Sequence, residues 1–206
     1  MGPKVLSGAG PSRSPTKPAS GGLRRRLLPA VAVAFMARGG ARAKEAVSTQ
    51  SLLDALANCG DATTAEGLIL RLRSLWRDAL GAAARQRLED AELALSGRDT
   101  ALGSRLLERL LSQWPDYIAA WQAMAALQWS TGDLTGSIMA LRRVLALEPR
   151  QFDALYLLGV DLLGLGRLEE AERAFQAVLR VNPFDTLARA QMLRLIGKDG
   201  AARQDL

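Results

Sequence analysis

Residues 118–149, IAAWQAMAALQWSTGDLTGSIMALRRVLALEP, and 152–183, FDALYLLGVDLLGLGRLEEAERAFQAVLRVNP, end on Pro149 and Pro183, and Pro115 stands the same distance upstream of Pro149. With Pro183 set at repeat position 32, Leu155, Leu158, Gly159 and Leu162 fall at positions 4, 7, 8 and 11. Gly166, Ala171, Phe175 and Val178 follow at 15, 20, 24 and 27. Pro149 gives the same positions to Trp121, Met124, Ala125, Gly132, Ser137, Leu141 and Val144, with only position 11 unmatched. Apolar residues every three or four places are helical spacing, and a glycine midway divides each unit into two helices. Such a unit cannot bury its apolar face alone, so the period predicts hairpins stacked on one another.

Each position has a physical reason. The small residues Ala125, Gly159, Ser137 and Ala171 let the first helix of a unit (helix A) approach the second (helix B), and larger residues at 4, 7, 24 and 27 fill the space between. Gly132 and Gly166 end helix A where a positive φ carries no Cβ clash. Proline ends helix B, and Asp116 or Asp185 just after it is placed to cap the next helix.

These residues resemble the tetratricopeptide repeat family: W/L-x-x-L/M-G/A, the turn glycine, a small residue, a large one and proline all stand at the family's spacing over 118–184. The resemblance implies an all-α, right-handed superhelix with a concave groove lined by helix A. It also implies that ligands lie over helix A positions 2, 5, 9, 12 and 13. Carried over, these are Ala119, Gln122, Ala126, Trp129 and Ser130 in one unit, and Asp153, Tyr156, Val160, Leu163 and Gly164 in the next. That surface is apolar and aromatic and suits another protein or peptide presenting a helix or an extended apolar segment. The alternative is that neighbouring N-terminal helices cover it. Relatives that clamp a chaperone's terminal carboxylate use Lys at 5 and Asn at 9. Gln122, Tyr156, Ala126 and Val160 offer no such cation, so this activity is not expected.

Outside these two units the pattern is looser. A first repeat over about 83–117 is degenerate: Gly97 lies one place further from Pro115 than Gly132 and Gly166 lie from their prolines, which reads as a single insertion. Upstream, in 44–82, a short helix near 50–58 ends at Cys59-Gly60. A second, about 64–80, opens on a capping box at Thr63 and Glu66. Its face of Leu68, Leu72, Leu75 and Trp76 reads as core, with Trp76 stacking it on the first repeat. The three repeats thus span 83–184, and 185–206 holds a closing helix, with Leu187, Gln191 and Leu195 inward, and a tail. Helices of this kind before such repeats resemble those of exported bacterial tetratricopeptide proteins.

The net charge of +6 is carried at the front. Residues 1–44 hold nine basic side chains and no acid, leaving 18 basic against 21 acidic in 45–206, a net of −3. A mildly acidic repeat region argues against nucleic acid as a partner. Residues 1–22, rich in Gly, Ser, Pro and basic residues, read as a disordered leader. Arg24-Arg25-Arg26, the apolar run Leu27–Ala37 and the small residues before Lys44 give 23–43 the order of a cleaved signal or transit segment. Eleven apolar residues at about 1.5 Å each cannot cross a core of about 30 Å, so no permanent membrane span is expected. The expected location is exported or organellar: a periplasm, or a plastid or thylakoid lumen, with a mitochondrion less favoured.

The chain has no histidine and one cysteine, Cys59. A Ser-His-Asp or Cys-His site, a thiolate metal cluster and an internal disulfide are excluded. Glu169, Glu170 and Glu172 could be mistaken for a catalytic acid cluster but suit a helix N-terminus. No catalytic residue, cofactor or metal is therefore expected. The function expected is a non-catalytic protein–protein scaffold or assembly factor. The alternative is a regulatory adaptor that acts with nucleic acid or an enzyme complex through its basic N-terminus.

Overall fold

Turn residues interrupt the apolar stripes of this chain at regular intervals, and the structure is a series of helices broken at those turns. The computed structural model describes residues 49–202, with side chains to 197. The leader 1–22 and the segment 23–43 lie outside the described residues. Residues 49–57 are helical (α1). They are followed by α2 (Ala62–Asp78), α3 (Ala82–Ser96), α4 (Thr100–Gln113), α5 (Ile118–Ser130), α6 (Leu134–Leu147), α7 (Phe152–Gly164), α8 (Leu168–Val181) and α9 (Thr186–Ala202). No strand occurs among the described residues. The pairs α3–α4, α5–α6 and α7–α8 are hairpins, and α4–α5, α6–α7 and α8–α9 contacts stack them in order. The fold is all-α, as the proline period requires.

The turns inside the hairpins share one geometry. Gly132 and Gly166 take φ of +82° and +72°. The next amides, of Asp133 and Arg167, donate back to the carbonyls of Gln128 and Leu162 at 2.8 and 2.9 Å, closing the helix ends. In the first hairpin Asp99 donates likewise to Ala94 at 3.0 Å, and the left-handed residue is Arg98, with φ 65°. Gly97, expected to be the turn glycine, has an ordinary φ of −74°. Nothing is inserted: Arg98 stands as far before Pro115 as Gly132 and Gly166 stand before Pro149 and Pro183. The repeat register is intact, and a side chain sits where Cβ is disfavoured.

Two expected caps are corrected as well. Helix α2 is capped by Asp61, whose Oδ1 accepts from the Thr64 amide at 2.8 Å, so Thr63 lies inside the first turn. Asp185 caps α9 by accepting from the Ala188 amide at 2.8 Å. Asp116 does not cap α5: Tyr117 holds the N-cap place, and Asp116 pairs with Arg143 at 2.9 Å. The difference is register, since Tyr117, Gln151 and Asp185 share one repeat position and Asp116 precedes it.

Close approach of paired helices sets the core. A Cβ on Gly159 would lie 2.6 Å from the ring of Phe175, which is fully buried. The preceding hairpin solves the same space the other way, with Ala125 at the glycine's position and the smaller Leu141 at the phenylalanine's. In the first hairpin, Gly103 at the position of Ser137 and Ala171 faces Leu95, whose methyl would be 2.3 Å from an added Cβ. Two apolar clusters follow, one running through α3–α6 with Ala154 and one joining α7, α8 and α9 to Ile138. On α9 the buried residues are Ala188 and Leu195. Leu187, expected inward, is 61% exposed.

A third cluster was not anticipated. Leu53 and Leu56 of α1 and Ala65, Leu72 and Trp76 of α2 pack with Phe152 and Val181, bordered by Ile118, Leu155 and Phe184. Trp76 therefore stacks on the third hairpin, its ring 5.5 Å from that of Phe152, and not on the first. The N-terminal hairpin folds back across the stack because its apolar face matches the aromatic residues at the ends of α7 and α8.

Among the described residues, Gln128 Oε1 and both Asp161 carboxylate oxygens are buried without a hydrogen-bond partner, and the aspartate is the costlier of the two. Asp161 is 1% exposed, and neither carboxylate oxygen meets a donor in hydrogen-bond geometry. Burial pushes this carboxyl above the usual range, and the Ser137 hydroxyl counters only part of the rise.

Three outcomes follow from these packing facts. Arg98→Gly should raise unfolding stability by about 0.5–1 kcal/mol in a urea melt, because relief of the left-handed strain exceeds the added chain entropy. Gly159→Ala should cost about 1–3 kcal/mol. Adding Phe175→Leu should restore part of that loss, and a double-mutant cycle reads the coupling. Because the folded pKa of Asp161 is raised, it costs stability above that pKa and nothing below the unfolded value. Asp161→Asn should therefore raise Tm at pH 7, and the gain should vanish as pH falls below the unfolded carboxyl range.

Candidate functional site

The face to which ligand-contacting positions were assigned lies along α5 and α7, and its residues differ in what they are free to do. On α5, Ala119 and Gln122 are half-buried, Ala126 and Ser130 are exposed, and Trp129 is 52% exposed. The Ser130 hydroxyl is turned back to the Leu127 carbonyl at 2.7 Å, so it caps its own helix end. Ala126 and Trp129, one helical turn apart, share a helix side, which leaves an open indole beside a small residue.

On α7 the side chains are more committed. Tyr156 is half-buried with its ring 5.8 Å from that of Phe175. Val160 and Leu163 are half-buried against the α7–α9 cluster, and Gly164 is exposed. Asp153 is engaged from within the chain: Arg73 of α2 donates to both its carboxylate oxygens, at 2.6 and 3.0 Å. The Arg73 guanidinium also lies 5.8 Å above the ring of Phe152. The surface thus has two zones. Its middle and far end (Gln122, Ala126, Trp129, Tyr156, Val160, Leu163) carry no charged side chain. Its near end (Phe152, Asp153) is held by the N-terminal hairpin.

That hairpin is fastened along its length. Arg150, between α6 and α7, donates to Asp54 of α1 at 2.5 Å and to the side-chain oxygen of Gln50. Gln50 in turn donates to Glu148 at 3.1 Å. At the other end the Tyr117 hydroxyl donates to the Arg77 carbonyl, and Arg77 pairs with Glu92 of α3. Burial pushes the Tyr117 phenol up to about 12, so it stays a donor at any ordinary pH. Arg143 and Arg150 are both in ion pairs. Of the acids on α8, Glu170 is gripped by Arg167 through two contacts of 2.6 Å, which lowers its pKa. Glu172 accepts from Gln176 at 2.9 Å.

The repeat pattern assigned a ligand face to α5 and α7 but gave no sign of the hairpin over its end. A signal was present: position 1 of helix A carries Ile118 and Phe152, and Phe184 follows Pro183, large apolar residues just outside the signature positions. Their purpose is visible only when α2 lies on them.

Comparison with known proteins agrees with this architecture. A tetratricopeptide repeat family model matches residues 123–186 and 156–205, the second match running into α9. A TPR repeat-containing protein of Rhizobium etli is 25% identical over 138 residues, 67% of this chain and 68% of its own length. Among solved structures, MamA superposes with a TM-score of 0.54 at 18% identity over 66% of this chain and 78% of its own. The first TPR of Spaghetti (RPAP3), bound to the HSP90 peptide SRMEEVD, gives 0.54 at 14% identity, covering 57% of this chain and 93% of that one. At such identities the structural matches speak for the fold alone. Sequence match, period and helix pairing agree: the hairpins of this chain are arranged like those of tetratricopeptide repeat proteins, and the family model matches them over residues 123–205.

Proposed function

We propose that this protein is a non-catalytic scaffold or assembly factor that holds a segment of another polypeptide against α5 and α7. The observation that carries the reading is Trp129. A tryptophan 52% exposed beside Ala126, on a face whose other assigned positions Gln122, Tyr156, Val160 and Leu163 carry no charge, offers a partner an anchor. A helix or extended segment with apolar side chains facing the groove fits best. The same fold in RPAP3 holds a peptide, which supports use of this surface type. The acidic end of that peptide is not the expected ligand chemistry here, because Gln122, Tyr156, Ala126 and Val160 present no cation.

The compartment belongs to the same proposal. The order of an arginine run, eleven apolar residues and small residues before Lys44 supports export to a periplasm or passage into a plastid lumen. No helix among the described residues is long and apolar enough to cross a membrane.

Affinity capture from the compartment holding the mature protein, followed by titration of the captured polypeptide, tests the reading. Trp129→Ala should weaken binding by about 2 kcal/mol or more, roughly thirtyfold in Kd, with an unchanged melt. Ala126→Glu, a charge at an exposed neighbour, should do the same. Met139→Ala, on exposed surface of α6, should leave Kd unaltered. Equal affinities for all three variants would reject the α5–α7 surface.

A further inference from the structure

The N-terminal hairpin is built differently from the three it covers. Consecutive repeats are joined through continuous apolar clusters, whereas α1 and α2 join the stack through a separate cluster, shared with Phe152 and Val181 of the third hairpin. The hairpin's ties to the repeats are long-range in sequence and polar at the rim. Arg73 reaches Asp153 across 80 residues, Arg150 reaches Asp54 across 96, and Gln50 reaches Glu148 across 98. Its covalent link to the stack is a short hydrogen-bonded turn at Gly81, which has φ +82° and nothing within 4 Å of where its Cβ would be. A glycine in open space at positive φ is a position where the chain can change direction without steric cost.

What the hairpin covers is the near end of the ligand surface. Asp153 is the one charged residue among the α5 and α7 positions assigned to ligand contact, and its partner is the chain's own Arg73. Phe152, Val181 and Phe184, which would extend the apolar face toward α9, are closed by Leu72, Trp76 and α1.

We infer that α1–α2 is a displaceable strap: it swings about Gly81, the Arg73–Asp153 pair is its latch, and opening adds Phe152 and Phe184 to the peptide-binding face. The consequence for ligand binding rests on the function proposed above; the opening itself does not, and it is measured without a ligand. The closed strap limits the face to its middle and far end. A longer apolar segment, or one bearing a cation for Asp153, competes with the strap for the same place. The latch is a solvent-exposed ion pair, so salt weakens it.

Cys59, the only thiol, sits in the α1–α2 turn, partly buried against the strap's cluster, with its Sγ 3.1 Å from the Leu56 carbonyl. Its rate of reaction with Ellman's reagent reports opening in the full chain. Arg73→Ala and Asp153→Asn should each accelerate the reaction by about twofold to fivefold, the upper part of the range for an exposed pair. Far-UV ellipticity should stay at the wild-type value. Salt should accelerate the wild type toward the variants and leave the variants almost unchanged. Bis-ANS fluorescence should rise in Arg73→Ala and fall again when Phe152→Ala is added. An unchanged Cys59 rate in both variants overturns the latch. A rate that rises only with loss of ellipticity shows the hairpin melting instead of swinging, and overturns the strap. If the thiol responds as described but groove variants bind normally, the strap stands and the proposed ligand face fails.

Discussion

The close approach of two helices at a residue without a side chain is the constraint on which the rest of the structure depends. Gly159 brings α7 against the ring of Phe175, and that contact fixes the angle and depth of the third hairpin. Since each hairpin presents its outer face to the next, an error at one such contact would be carried along the stack. The second hairpin keeps the spacing with Ala125 and Leu141, a larger residue against a smaller one, so summed volume is held while identities change. The first does it with Gly103 under Leu95. What recurs from hairpin to hairpin is a filled volume, and the consensus letters are one way of filling it.

The groove is a by-product of that packing. Once positions 4, 8, 11, 20, 24 and 27 are consumed between helices, the remaining side of each helix A has no internal partner. On α5 that side carries Trp129 and Ala126. On α7 the same side is drawn partly inward, because Tyr156, Val160 and Leu163 help bury the junction with α8 and α9. In the proposed binding mode the free side chains are therefore on α5, while α7 supplies shape. The strap reinforces the division by engaging Asp153 and Phe152, leaving the open part of the face without charge.

Much of this was legible in the sequence, for reasons that can be named. The hairpins were readable because small residues, glycine and proline each answer a local steric demand that does not depend on distant structure. Arg98 was misread for the same reason: an arginine gives no local sign of a left-handed turn, and Gly97 beside it drew the turn one place early. Asp116 failed as a cap because capping depends on register, and Tyr117 holds the register place. The destination of Trp76 was not legible at all. Its neighbours Leu68 and Leu72 announce a buried face but not what buries it, and the ring it meets, Phe152, belongs to the third hairpin, with two whole hairpins between them in the chain. Asp161 was equally silent, since an aspartate on helix A reads as exposed until α6 is packed over it.

The contact between Gly159 and Phe175 is the most direct place to test the stack. In a proton NMR spectrum, the Gly159 α-proton that occupies the place of a Cβ points into the phenylalanine ring. Helices held this close give a strong nuclear Overhauser effect between that proton and the Phe175 ring, with the proton shifted upfield by the ring current. Absence of the cross-peak, with both glycine α-protons at ordinary shifts, would contradict the packing on which the hairpins, the groove and the strap all rest.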